Sequence, residues 1–177
     1  MTMQVTPLDA SFGATVEGVK LATINEEAFA ALYEVWLDYA LLIFPDQHLD
    51  NAKQTGFAKR FGKLEIDLVE LSNVKEDGSL RLSDDDDMVK ILKGNMHWHH
   101  DSTYMPVQAK GAVFRAEVVP SEDGETGWAD MSAAYDALSL EMRRRIEGLS
   151  AHHSLIHSQL KVGFTTKDKE DSEYFGY

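Results

Sequence analysis

Between Asn95 and Tyr104 the chain reads Asn-Met-His-Trp-His-His-Asp-Ser-Thr-Tyr, which puts three histidines and a carboxylate into the five positions 97–101. Nowhere else are imidazole and carboxylate so concentrated. The stretch constrains the fold, because polar rings and charges taken out of water need a hydrogen-bond partner or an ion. If the segment is extended, the two-residue period of a strand sends His97, His99 and Asp101 to one face and Trp98 and His100 to the other. His99 and Asp101 would then offer one imidazole nitrogen and one carboxylate oxygen to the same ion. Completed by a second histidine from elsewhere, the pair becomes the two-histidine, one-carboxylate triad that leaves positions on Fe(II) open for other ligands. A His-x-Asp alone also suits a polar strand end whose side chains only hydrogen-bond, so the neighbouring segments have to decide. The chain has no cysteine, which excludes disulfide and thiolate sites and leaves N and O donors for any metal.

After this stretch come the apolar run Ala112-Val113-Phe114-Arg115-Ala116-Glu117-Val118-Val119-Pro120 and then Gly124-Glu125-Thr126-Gly127-Trp128-Ala129-Asp130-Met131, continuing to Leu138. In order and spacing these segments resemble the TauD/TfdA family of Fe(II)- and 2-oxoglutarate-dependent dioxygenases, the taurine and 2,4-dichlorophenoxyacetate type. The resemblance extends from Val5 to Gly163 and is strongest over 95–138.

It implies that His99 and Asp101 are iron ligands, that Thr126 binds a carboxylate of 2-oxoglutarate, and that Asn95 lies where the substrate is held. The implied cofactor and cosubstrate are Fe(II) and 2-oxoglutarate. The implied reaction consumes O2, hydroxylates a small aryloxyalkanoate- or sulfonate-like organic acid, and releases succinate and CO2. A histidine that contacts the sulfonate in the taurine enzyme has no counterpart in Asp67-Leu68-Val69-Glu70-Leu71, which disfavours taurine itself.

The implied fold is mixed α/β, mainly β: a double-stranded β-helix, a cupin-like jelly roll with flanking helices, in one domain over residues 1–177 that stops within the lid region. The family's second iron histidine and its 2-oxoglutarate arginine fall in a C-terminal portion with no counterpart in this sequence. The 177 residues alone are therefore expected to be inactive. Two other classes stand beside the enzyme. One is a catalytically inactive fragment or binding domain of the same fold. The other, a zinc hydrolase using His97, His99 and Asp101, is disfavoured because alternate residues of one straight strand do not readily surround an ion.

The remaining chain reads as scaffold. Gln4 to Leu21 carries short apolar stretches broken by Pro7, Gly13 and Gly18, a pattern of paired strands. Thr23-Ile24-Asn25-Glu26 has the form of a capping box, ahead of a helical stripe of Phe29, Leu32, Tyr33, Trp36 and Leu37. Ala40 to Phe44, stopped by Pro45, reads as a buried strand. Asp50 can cap a second helix in which Phe57 and Phe61 share a face and which Gly62 ends. Leu68 to Val74 and Ser79 to Leu82 read as a hairpin around Asp77-Gly78.

Asp84 to Asp87 reads as a solvated loop, since the spacing of a calcium loop fails at Val89 and Asn95. Ala112 to Val119 is expected as a strand, with Thr126 at the start of another. Asp130 and Ser139 are expected to cap helices. Arg143-Arg144-Arg145 is a solvated helix face. His152, His153 and His157 match a segment of the family that supplies no iron ligand. Lys167 to Glu173 reads as a charged loop cut short.

Seventeen basic against thirty acidic residues give a net charge of -13, which opposes binding to phosphate backbones and anionic membranes. The expected partners are a small organic acid and O2, not nucleic acid or membrane, with homo-oligomerisation left open. No basic-then-apolar leader or membrane-length apolar run is present, so the expected location is the cytoplasm.

Overall fold

Ala14 and Val16 are fully buried while Glu17 is exposed, so the strand that carries them, β2 (Ala14–Glu17), has one face closed against the interior. It is the central strand of a three-stranded sheet. β1 (Gln4–Pro7) pairs antiparallel with it, Gln4 opposite Glu17 and Pro7 opposite Ala14. β3 (Leu42–Ile43) pairs parallel on the other side, with Ala14 opposite Leu42. β2 ends at Gly18, where φ is 75° and a Cβ would collide with the carbonyl oxygen of Thr2, so glycine is required there.

The structure is a computed structural model that describes residues 2–164. The charged stretch 167–173 lies outside them. The chain divides into two compact units: Met1–Leu64 with Val113–Leu149, and Glu65–Ala112 with Ser150–Tyr177.

The first unit is built on α1 (Glu26–Tyr39) and α2 (Asn51–Ala58). The N-cap of α1 is Asn25, whose side chain accepts the Ala28 N–H, not Thr23, which ends a preceding 3-10 turn. An Asx cap sitting nearer the apolar stripe outcompetes the Thr-x-x-Glu spacing. Asp50 caps α2 by accepting from Lys53 N–H. Leu21, Phe29, Leu32, Leu49 and Phe57 form the buried core of this unit, with Tyr33 and Phe61 packed against it. Phe61 meets Phe29, Trp36 and Phe57 edge-on, with ring centroids 5.0, 5.2 and 5.4 Å apart. Arg60 lies over Phe29 at 4.1 Å and pairs with Glu26 at 2.7 Å, fastening the start of α1 to the end of α2. Leu37, expected on the buried stripe, is 59% exposed.

Residues 113–130 are where the sequence reading fails. The expected strand Ala112 to Val119 does not form, and Thr126 starts no strand. Strand backbone needs a paired neighbour for its N–H and C=O groups, and apolar composition alone supplies none. Hydrogen bonds exchanged with α2 and the residues just before it hold this segment instead. Gln54 Nε2 donates to the Val113 carbonyl at 3.0 Å, and Arg115 donates to the Leu49 carbonyl and, at 2.8 Å, to Asn51. α4 (Met131–Asp136) and α5 (Leu140–Ile146) follow, capped by Asp130 and Ser139 as expected.

In the second unit the expected hairpin shrinks to one antiparallel bridge, Val74 with Leu80, around the Asp77-Gly78 turn. The acidic run is more than a solvated loop. Asp86 accepts from Met88 and Val89 N–H and starts α3 (Asp87–Asn95), while Asp84 pairs with Lys93 at 2.7 Å. α6 (Leu155–Lys161) packs on α3. The described residues are thus mixed helix and strand but not mainly β, because the only sheet is β1–β3.

Candidate metal centre

α3 ends where the Asn95-Met96-His97 stretch begins. Met96 N–H bonds back to the Lys93 carbonyl, and the chain leaves the helix there. Asn95 is the last helical residue and is exposed. Residues 98–100 have no regular structure, and 101–104 form a turn. Ser102, buried, takes the left-handed φ of 60°, and Met105 N–H donates to its carbonyl at 3.0 Å. A non-glycine residue in that region is strained by about 1–2 kcal/mol, so the turn must be held by its surroundings.

This turn follows Asp101 directly, and Asp101 Oδ1 lies 3.2 Å from His99 Nε2. The other ring nitrogen, His99 Nδ1, is 2.6 Å from the His97 carbonyl. A carbonyl can only accept, so Nδ1 carries the proton, and in the neutral ring Nε2 is a bare lone pair. Nε2 and the Asp101 carboxylate thus face each other as an imidazole nitrogen and a carboxylate oxygen, the donor pair a divalent ion takes. Divalent ions bind imidazole and carboxylate at about 2.1 Å, which sets two donors at right angles about 3 Å apart. The observed separation fits such an ion. The backbone contact on Nδ1 is also the kind of outer hydrogen bond that fixes the tautomer of a metal-bound histidine. The side chains of His99 and Asp101 are 48% and 69% exposed, so an ion could reach them from solvent.

The other histidines are engaged differently. His100 Nδ1 lies 2.8 Å from the Asp101 carbonyl and 2.7 Å from Gln108 Nε2. His97 contributes its carbonyl to His99. His157 sits inside α6, its N–H donating to Ser154 Oγ. No group of three or more His, Asp or Glu side chains with metal-binding geometry occurs among the described residues. Thr126 is exposed and belongs to the first unit, whereas Asn95, His99 and Asp101 belong to the second. Sequence reasoning missed Ser102 and Gln108, which shape this turn. Gln108 lies eight residues from its partner and leaves no periodic signal.

Residues 4–175 match the family described as taurine catabolism dioxygenase TauD, TfdA family. The chain belongs to the TauD/TfdA family. The match runs through both compact units. Within the family, an (S)-phenoxypropionate/alpha-ketoglutarate-dioxygenase from Sphingobium herbicidovorans is 61% identical over 174 residues, covering 98% of this chain and 60% of that protein. A protein of the same name from Delftia acidovorans is 54% identical over 183 residues, covering 99% and 62%. Among solved structures, AAD-2 in complex with Mn(II) and N-oxalylglycine aligns with a TM-score of 0.85 at 34% identity, over 99% of this chain and 64% of that one. The chain thus spans about 60% of the length of the curated TauD/TfdA relatives it matches.

Proposed function

We propose that this protein is an Fe(II)- and 2-oxoglutarate-dependent dioxygenase that hydroxylates a small aryloxyalkanoic acid and releases succinate and CO2. The observation that carries the reading is the His99–Asp101 pair, an imidazole nitrogen 3.2 Å from a carboxylate oxygen. It occurs in a chain 61% identical to a dioxygenase named for phenoxypropionate and alpha-ketoglutarate. The Mn(II) and N-oxalylglycine of the structural relative support the cofactor and cosubstrate, since N-oxalylglycine is 2-oxoglutarate with NH in place of one CH2. The jelly roll and a cytoplasmic location belong to the same proposal. They are supported by the family match and by the finding that no helix among the described residues is long and apolar enough to cross a membrane.

In this reading His99 and Asp101 hold the iron, which when bound supplies O2 activation coupled to decarboxylation of 2-oxoglutarate. The His97 carbonyl keeps the proton on His99 Nδ1 and so keeps Nε2 available as a ligand. Thr126 donates its hydroxyl proton in a hydrogen bond to a 2-oxoglutarate carboxylate. Asn95, whose amide is both donor and acceptor, holds the organic acid. Both anions approach a chain of net charge -13, so local donors of this kind have to overcome the overall field. Hydroxylation at the carbon bearing the ether oxygen gives a hemiketal, which collapses to a phenol and a 2-oxo acid.

The test is an aerobic incubation of this chain joined to a TauD/TfdA C-terminal portion, which carries the iron histidine and 2-oxoglutarate arginine without counterpart in these 177 residues, with Fe(II), 2-oxoglutarate and (S)-2-phenoxypropionate. The 177 residues alone are expected to give neither product. The expected result is phenol and succinate in equal amounts, each dependent on 2-oxoglutarate. Succinate without phenol would reject the substrate class, and neither product would reject the enzyme. A second reading, a domain of the same fold that binds without turnover, is favoured by the pairing of only two candidate ligands among the described residues. That reading predicts no succinate.

A further inference from the structure

Gly94 is the penultimate residue of α3, in a position where alanine would favour the helix more. No left-handed backbone accounts for the glycine. Its surroundings do: a Cβ there would sit 3.3 Å from Nε2 and Oε1 of Gln159 and from Cγ2 of Val162 at once. To admit it, the Gln159 amide and the Val162 methyl would both have to give by a few tenths of an ångström. With no side chain at Gly94, α3 and α6 meet here without that adjustment.

The residue on the other side is equally unusual. Gln159 is only 4% exposed, and its Oε1 has no hydrogen-bond partner. A buried acceptor without a donor destabilises a fold, and leucine would fill a similar volume without that cost. The backbone around Gln159 is well held, since its carbonyl accepts from the N–H groups of Val162 and Phe164, both at 3.1 Å, and Phe164 is buried. Two residues that each lower stability therefore meet at one point, and the next residue along α3 is Asn95.

We propose that the Gly94–Gln159 contact is a positioning joint, which sets the last turn of α3 and with it Asn95 for the organic acid, making Gln159 a positioning residue. The inference rests on the dioxygenase reading above. In this proposal the joint acts on the organic acid through Asn95, its neighbour in α3.

The test compares the intact protein with Gln159→Leu, Gly94→Ala and Gly94→Ala/Gln159→Ala. KM is measured for (S)-2-phenoxypropionate and for 2-oxoglutarate. Calorimetric Kd for the acid on Mn(II)-loaded protein gives a readout free of turnover, and Tm is recorded alongside. Gln159→Leu is expected to keep or raise Tm yet raise KM and Kd for the acid roughly tenfold, because displacements of a few tenths of an ångström at a bound reactant are costly. KM for 2-oxoglutarate should stay within about twofold, since the joint does not bear on it. Gly94→Ala should act in the same direction, and shortening Gln159 in the double variant should recover part of the loss. An active wild type whose variants leave acid binding unchanged, or lose both substrates together as Tm falls, would overturn the inference alone. A wild type without 2-oxoglutarate turnover would overturn the dioxygenase reading, and the inference with it.

Discussion

His99 uses its two ring nitrogens for two jobs, Nδ1 on the His97 carbonyl and Nε2 toward Asp101. Neighbouring His100 has its Nδ1 occupied by the Asp101 carbonyl and Gln108. The division predicts different mutational outcomes for adjacent, chemically identical residues. His100→Ala and His97→Ala should each keep Mn(II) affinity within about tenfold of wild type, the scale of an outer-contact loss. Manganese titration followed by electron paramagnetic resonance would measure it. A larger loss in His100→Ala would mean that the register of the pair is misassigned. The spacing of His99 and Asp101 is visible in the sequence because it is local. Ser102 and Gln108 are not, because a left-handed serine and an amide eight positions away follow from the folded turn, with no pattern that precedes it.

Among the elements, the N-caps carry the clearest consequences. The Asp50 carboxyl is held below the usual carboxylate range by hydrogen bonds from the side chain and backbone N–H of Lys53. Asp130 is lowered by the Ala133 N–H and the Ser11 hydroxyl. Asp86 is lowered although desolvation pulls the other way, because Arg81 and the N–H groups of Met88 and Val89 outweigh it. A carboxyl whose folded pKa is depressed stabilises the fold above its unfolded pKa, about 3.9, and that contribution is lost as pH falls through the lower folded value. Tm should therefore fall as pH drops below about 4, where these carboxyls take up protons. A Tm indifferent to pH down to about 2.5 would contradict the cap assignments.

Helix glycines give a second contrast. Gly56 in α2 has nothing within 4 Å of a built Cβ, so Gly56→Ala should stabilise by about 0.5–1 kcal/mol in chemical denaturation, where Gly94→Ala should not. The caps at Asp50, Asp130 and Ser139 were legible because capping chemistry is confined to a few adjacent residues. Asp86 was hidden inside a run whose charge suggested solvation, although it caps α3. The expected strands at 68–74 and 112–119 failed for the opposite reason. Strand formation depends on a distant partner, and β propensity records only the fit to a sheet that must exist elsewhere.

For the whole molecule, the buried core of the first unit sets stability. Leu32 is 1% exposed within the cluster of Leu21, Phe29, Leu49 and Phe57. Leu32→Ala should cost about 2–5 kcal/mol by equilibrium denaturation, with little direct effect on metal binding in the folded fraction. A loss below about 1 kcal/mol would mean that this cluster does not anchor the unit. The second unit holds His99 and Asp101 side by side. The most direct test of this pair as the iron site is an anaerobic titration of Fe(II) into the protein with 2-oxoglutarate, read by the visible metal-to-ligand charge-transfer band. Wild type is predicted to develop the band and saturate near about one iron per chain, and His99→Ala and Asp101→Ala to lose it. An undiminished band in either variant, or no band in wild type, would contradict the assignment of this pair as the iron site.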